Sequence, residues 1–370
     1  MPNHFTAFKS AGVGRSAARA FSQILPRLRC HPINEGVTTA LEDAKCAGIP
    51  NRSPFYFETG YSAFARRASR PFPPPFLPSP SGSLSDPLTA HTHFGDRLPS
   101  VNGEIIQGLT NGDDALIIGG QCFLGVNDGV GAWAERQRGH AALWSRLIAH
   151  FWALEVENAY RTKEEVNLED INLIAYLQRA YERTKTVTSK PNEVLGTTTV
   201  SSALLHHRSD NNPVVIVTVI GDCTVLVIRP SNQELIYETK EQWHWFDCPR
   251  QLGTNSPDTP ERNAVADIVD IQEDDVVVVM SDGVTDNLWK HEICEKVSES
   301  VKKWQEGDET AKDGMVYVAR ELMKSAKEIA QDPYAESPYM ERALDEGIAA
   351  EGGKLDDISV VVGLCKKRKS

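Results

Sequence analysis

The chain has no run of 18 apolar residues, so no segment of it reads as a membrane-spanning helix. It has no C-x-x-C pair and no metal-finger spacing. Its seven cysteines, Cys30, Cys46, Cys122, Cys223, Cys248, Cys294 and Cys365, are odd in number and scattered. That pattern reads as reduced thiols, not as a disulfide framework. No G-x-x-x-x-G-K-[ST] stretch occurs, which excludes a P-loop kinase at the level of motif. A cysteine-nucleophile signature is also missing. Finally, residues 1–34 contain no acidic side chain at all.

That acid-free segment carries Lys9, Arg15, Arg19, Arg27 and Arg29. Val13, Ala17, Phe21, Ile24 and Leu28 recur through it at helical steps, with Arg15 and Arg19 off the stripe. An arginine-bearing, serine-containing amphipathic N-terminus predicts a mitochondrial transit peptide over residues 1–40 and a mitochondrial location. Residues 71–82 are rich in proline and serine. Residues 41–100 are therefore expected to be a disordered linker, with the folded domain over 101–370.

The charge is uneven. Net charge is −12, yet residues 1–100 hold 11 basic against 6 acidic side chains, and residues 101–370 hold 28 against 45. So acidic a body repels nucleic acid and anionic lipid, and neither is expected as a partner. It suits a protein that binds divalent cations, although a solvated acidic surface gives the same number.

From residue 105 onward, strand pairs alternate with helical runs. Strands are predicted over 115–118, 121–126, 197–206, 214–220, 224–228, 275–280 and 357–364. Helices are predicted over 141–160, 168–185, 284–290, 291–304 and 310–330. Strands in blocks with helices between the blocks imply antiparallel sheets flanked by helices, an α+β fold, not a βαβ parallel sheet.

The informative pattern is the placement of aspartates. Asp113 and Asp114 precede one strand, and Asp128 ends another in a Val-Asn-Asp-Gly-Val-Gly context. Asp222 lies in the Ile-Gly-Asp-Cys turn, Asp282 ends an apolar run in Ser-Asp-Gly, Asp286 follows, and Asp356 and Asp357 open the last strand. An apolar strand ending in Asp-Gly sets a carboxylate at a sheet edge on a rigid support, and the glycine permits close approach. Any one of these alone is an ordinary turn residue. Together, oxygen ligands without histidine or cysteine suit the hard cations Mg²⁺, Mn²⁺ or Ca²⁺. Two such cations can activate water for in-line attack on a phosphoryl group.

Seven segments carry a family resemblance: Gly-Asp-Asp-Ala (112–115), Gly-Val-Asn-Asp-Gly-Val-Gly-Ala-Trp (125–133), Gly-Thr-Thr-Thr (196–199), Ile-Gly-Asp-Cys (220–223), Cys-Pro-Arg-Gln-Leu (248–252), Ser-Asp-Gly-Val-Thr-Asp-Asn-Leu (281–288) and Leu-Asp-Asp-Ile-Ser-Val-Val-Val (355–362). In order and spacing they resemble the type 2C (PPM) metal-dependent serine/threonine protein phosphatases, and specifically their mitochondrial branch. The resemblance implies a four-layer sandwich, two antiparallel sheets between helices. It implies two Mn²⁺ or Mg²⁺ ions and a weaker third, acting on phosphorylated protein substrates. Asp128 would bridge the two main ions. Asp282 and Asp356 would complete one site, and the Gly129 carbonyl with Asp113 and Asp114 the other. Asp222 and Asp286 match the weaker third site, and Asp357 supports Asp356. The protein is expected to act as a monomer.

Two departures stand out. Val130 occupies the place where many members have a histidine, and residues 105–112 lack the family's phosphate-binding arginine. Two rivals remain. Gly129, Gly131 and Ala134 fit a dinucleotide-binding pattern, but Asp128 beside them would repel a pyrophosphate. A catalytically inactive scaffold of the same fold would be expected to have lost Asp128, Asp282 or Asp356, and all three are present.

Overall fold

A computed structural model describes residues 45–46, 49, 53–77, 98–162 and 166–369. The segment read as a transit peptide lies outside these residues.

The apolar run over 276–280 shows why the body folds as it does. In the strand Val276–Met280, Val277 and Val279 join one hydrophobic cluster while Val276, Val278 and Met280 join another. A strand buried on both faces has no polar alternation to show, so it reads as a continuous apolar run. The same division holds in its two neighbours, Thr224–Arg229 and Ile358–Lys367. One cluster fills the space between two sheets, and the other lies under helices.

The strands are β1 (Phe55–Phe64), β2 (Asp114–Gly119), β3 (Phe123–Asn127), β4 (Val200–His207), β5 (Pro213–Ile220), β6 (Thr224–Arg229), β7 (Glu234–Glu238), β8 (Val265–Asp270), β9 (Val276–Met280) and β10 (Ile358–Lys367). A seven-stranded sheet runs in the order Lys45–Cys46, β2, β3, β4, β5, β8, with Leu109–Asn111 also on β2. A five-stranded sheet runs β7, β6, β9, β10, β1. Every pair is antiparallel except Lys45–Cys46 with β2. Helices α1 (Ala141–Thr162) and α2 (Leu173–Val187) cover the outer face of the first sheet, with Trp152 meeting Phe123 edge to face at 5.8 Å. Helices α3 (Lys290–Gln305) and α4 (Met315–Gln331) cover the second, and α5 (Pro338–Asp345) follows them in the chain. The expected four-layer α+β sandwich is what forms.

The expected domain start is not. Residues 41–100 were read as disordered linker, but β1 pairs with β10 along its whole length, from Phe55↔Lys367 to Phe64↔Ile358. Phe57 in it is fully buried. Its sequence hides this because Thr59 breaks the apolar series Phe55, Phe57, Tyr61, Ala63 and mid-strand Gly60 is a poor strand former. Gly60 is required by packing: a Cβ there would lie 2.1 Å from the Met315 backbone of α4. The proline run is also docked in part. Phe76 is 1% exposed, and Phe72 packs against the His140 ring at 5.5 Å while Pro71 bonds His140 Nε2 at 3.0 Å. The domain therefore includes residues from at least Phe55, and residues 78–97 lie outside the described set.

Candidate metal centre

Both sheets present one end to a cleft of about 520 Å³. On the seven-stranded side, Gly112 turns into β2 with φ +62°. Asp113 lines the cleft, and its backbone N–H donates to Asp357 Oδ2 at 2.8 Å. Asp114 instead spans the two sheets, accepting the Ser359 hydroxyl of β10 at 2.7 Å.

Asp128 follows β3, and the Gly-Thr-Thr-Thr segment holds it. The Thr199 N–H donates to the Asp128 carbonyl at 2.8 Å, and Thr198 Oγ1 donates to the same oxygen at 2.7 Å. The Asp128 N–H in turn donates to Thr199 Oγ1 at 3.3 Å. Trp133 Nε1 donates to Thr197 Oγ1 at 2.6 Å, so the tryptophan of the motif braces the same segment. Gly129 permits a close approach: a Cβ there would sit 2.2 Å from the Asp113 carbonyl oxygen.

On the other side, the chain crosses from β5 to β6 through Gly221, at φ +104°, and Asp222 follows it, 3% exposed. Asp282 opens the helical turn Asp282–Thr285 that ends β9, and Asp286 caps that turn. Asp356 lies two residues before β10. Asp113, Asp128, Gly129, Asp222, Asp282 and Asp356 all line the cleft, while Asp114 and Asp286 are buried behind it.

This gathering is electrostatically costly. Burial, then the charges of Asp282 and Asp114, pushes Asp128 well above the usual carboxylate range. Asp114 is raised by burial and Asp357, and Asp222 by burial and Asp282. Burial pushes Asp356 up to about 6 and Asp286 up to about 7, with Lys354 pulling both the other way. Asp282 alone goes down: burial opposes it, but Lys354 and the approach of Asp128 and Asp286 favour its ionised form. Three buried oxygens, Asp222 Oδ1, Asp282 Oδ1 and Asp286 Oδ2, accept no hydrogen bond, and only the last has a cation beside it, Lys354 Nζ at 2.7 Å. An unpartnered buried carboxylate oxygen is expensive, and a hard cation is the partner its chemistry fits. Among the described residues, no three His, Cys, Asp or Glu side chains stand close enough together to hold a metal ion as they are placed. The carboxylates are ranged along the cleft wall.

Sequence reasoning missed the cationic half of the site. Arg66, Arg67 and Arg70 line the cleft from the segment that follows β1. A Cβ on Gly131 would lie 3.9 Å from both Arg67 Nη2 and Asp113 Oδ2, so guanidinium and carboxylate approach one point. The arginine missing from 105–112 thus has candidates some 40 residues earlier, in a stretch whose strand was not recognised. Lys354 was missed too, although it stands two residues before Asp356. Its ammonium lies 2.7 Å from Asp286 Oδ2, 3.1 Å from Asp282 Oδ2 and 3.0 Å from Asp247 Oδ1.

No family model matches the chain. It is 29% identical over 304 residues to "Probable protein phosphatase 2C 1" of Oryza sativa subsp. japonica, covering 79% of each chain. It is 26% identical over 288 residues to "Protein phosphatase PTC7 homolog" of Homo sapiens, covering 75% of this chain and 86% of that one. These similarities are to proteins named as protein phosphatases 2C and PTC7 homologs. Some plant phosphatases 2C are matched over only 40% to 54% of their own length. Among solved structures, the photosystem II phosphatase PBCP superposes with a TM-score of 0.57 at 23% identity, over 83% of this chain and 98% of that one. The α+β sandwich of that phosphatase is therefore the fold of this chain. Among the described residues, no helix is long and apolar enough to cross a membrane.

Proposed function

We propose that the chain is a metal-dependent serine/threonine protein phosphatase that hydrolyses phosphoserine and phosphothreonine on proteins, with two Mn²⁺ or Mg²⁺ ions. One observation carries this reading. Buried carboxylate oxygens without donors face the same cleft as three arginines. Asp128 would serve both ions, Asp282 and Asp356 one of them, and Asp113, Asp114 and the Gly129 carbonyl the other. When bound, such ions supply Lewis acidity and an activated water at neutral pH. The chain's own residues do the rest. Thr198 and Thr199 fix the Asp128 backbone, so its carboxylate does not reorganise during turnover. Arg66, Arg67 and Arg70 would orient a phosphate dianion against the acidic wall, with a guanidinium fork suited to its oxygens. Val130, beside Asp128–Gly129 on the cleft wall, has no proton to give.

Phosphate release from a phosphothreonine peptide by the full chain tests the reading. Turnover should vanish in EDTA and return with Mn²⁺ or Mg²⁺. Full activity after chelation and dialysis would exclude a two-ion site, and a correctly folded, Mn²⁺-loaded chain without turnover would favour the inactive scaffold. Similarity to PTC7 homologs of Xenopus laevis and Homo sapiens is in keeping with the mitochondrial branch. Residues 1–60 fused to a fluorescent protein should enter mitochondria, and a diffuse cytosolic signal would overturn that location.

A further inference from the structure

The family resemblance gives Asp222 and Asp286 to a weaker third cation, and the surroundings of Asp286 disagree with that assignment. Both of its oxygens face a cation of the chain itself, although Oδ2 accepts no hydrogen bond. Oδ1 is bonded by the Arg342 guanidinium of α5, and Oδ2 lies 2.7 Å from Lys354 Nζ. The Asp286 side chain is only 2% exposed, so no third direction of approach lies open to solvent. The charges facing this corner are the acids Asp222, Asp247, Asp282 and Glu241 and the cations Lys354 and Arg342, whose Nη1 stands 4.0 Å from Glu241 Oε1.

Lys354 is placed there by a built loop, which a wandering surface lysine would not need. Its backbone N–H donates to Asn287 Oδ1 and its carbonyl accepts from Asn287 Nδ2, both at 2.9 Å. Asn287 is the residue after Asp286, so the clamp sets lysine and aspartate in register. Gly353 fits only because it has no Cβ, which would fall 2.1 Å from the Ile329 carbonyl oxygen at the end of α4. The Gly352 carbonyl accepts the Ser337 hydroxyl at 2.8 Å, and the ammonium packs over the Tyr339 ring, 5.0 Å from its centroid.

We propose that Lys354, backed by Arg342, permanently supplies the positive charge of the outer position, so that this chain binds two metal ions and not three. The inference rests on the two-ion reading above. In this arrangement Lys354 is a positioning residue. It holds Asp282 by Oδ2 and leaves Oδ1, which has no donor, for the inner cation. A tethered ammonium is always present, whereas a weak metal site fills only at high metal concentration. Its cost is lost adaptability, since an ammonium cannot carry an activated water.

Metal stoichiometry reads this directly, without reference to turnover. The full chain is titrated with Mn²⁺ by calorimetry and the bound ions are counted by native mass spectrometry. The wild type should hold two ions. Asp286→Asn should still hold two, because Asp286 is not a ligand. Lys354→Ala combined with Arg342→Ala should gain a third, weaker ion, and Lys354→Arg should keep the count at two. A wild type that binds three ions, or an Asp286→Asn variant that loses one, would overturn the proposal even if the double variant failed to fold. A wild type that binds no ion would remove the two-ion reading, and the inference with it. Two ions in the wild type and two in a folded double variant would leave the two-ion reading intact and overturn the role of Lys354 alone.

Discussion

The Asp357 carboxylate accepts the Asp113 N–H at 2.8 Å with one oxygen and the Arg66 N–H at 2.7 Å with the other. Three segments far apart in sequence are thereby joined at the mouth of the cleft: the end of the five-stranded sheet, the start of the seven-stranded one and the arginine segment. The same residue's backbone N–H donates to Asp356 Oδ1 at 2.9 Å. Asp357 thus supports Asp356, as the sequence suggested, and also holds the acidic and basic walls together. Gly112 makes room for it, since a Cβ there would lie 2.1 Å from Asp357 Oδ2. Asp357→Ala should leave two part-buried N–H groups without acceptors. We expect a loss of about 1–3 kcal/mol in urea unfolding together with weakened catalysis, because Asp113 and Arg66 lose their common anchor. A variant with wild-type stability would show that the staple carries no weight.

Gly129→Ala tests placement of Asp128 without touching its charge. The new methyl would press on the Asp113 carbonyl oxygen, 2.2 Å away, and neither backbone can yield freely. A shift of about 1 Å in the Asp128 carboxylate should cost roughly 10²-fold in kcat. Circular dichroism should remain near that of the wild type. Undiminished turnover by Gly129→Ala would count against the glycine's role.

The sequence made the acidic half of the site legible because each aspartate ends or opens a strand with a strong local signature. Val276–Met280 followed by Ser-Asp-Gly needs no tertiary knowledge to be read. The basic half was hidden for the opposite reason. Arg66, Arg67 and Arg70 follow a strand whose propensity is lowered by Gly60, a residue set by contact with α4. Lys354 carries no signal of its own, because its meaning comes from Asn287 and Asp286, some 70 residues away. Edge strand β8, Val265–Asp270, was missed because most of it is exposed and half its face is polar. Of the histidines, His206 packs with Tyr160, and His244 Nε2 bonds Asp258 Oδ2 at 2.8 Å, so both serve structure.

Acid should weaken the fold through two buried histidines. Burial, reinforced by the Arg183 and Arg146 charges, holds His150 down at about 4, and burial with His207 holds His206 at about 4. Unfolded, each titrates near its ordinary 6.5. Between these values the unfolded chain binds more protons than the folded one, so stability falls as pH drops from about 6.5 to 4. At roughly 1.4 kcal/mol per pH unit, each histidine can withdraw about 3 kcal/mol by the bottom of that window. The raised carboxylates of the cleft titrate in the opposite sense, so the difference between variants is the useful readout. His150→Asn keeps an acceptor for the Gln107 N–H, bonded now at 3.2 Å, and removes the proton site. Its unfolding free energy should depend less steeply on pH across that window. Parallel pH profiles for variant and wild type would rule the histidine out.

Asp128→Asn should separate stability from function. The Asp128 carboxyl is part-buried in the cleft wall, and its pKa is raised by desolvation and by Asp282, Asp114 and Asp356, so the metal-free protein is strained by its own charge there. An amide of the same shape removes one anion from that group. In EDTA the variant should therefore be more stable than the wild type, by about 0.5–2 kcal/mol, the size usual for relieving an unfavourable site. With Mn²⁺ the order should invert. The wild type should gain stability that grows with the logarithm of Mn²⁺ concentration above its dissociation constant, and the variant, lacking the charge proposed to serve both ions, should gain little and turn over at background rate. Urea unfolding of both proteins, with chelator and with Mn²⁺, decides the matter. Asp128→Asn less stable than the wild type in EDTA would mean that hydrogen bonding of Asp128 outweighs its repulsion. Equal stabilisation of the two proteins by Mn²⁺ would mean that Asp128 is not the residue through which the ions bind.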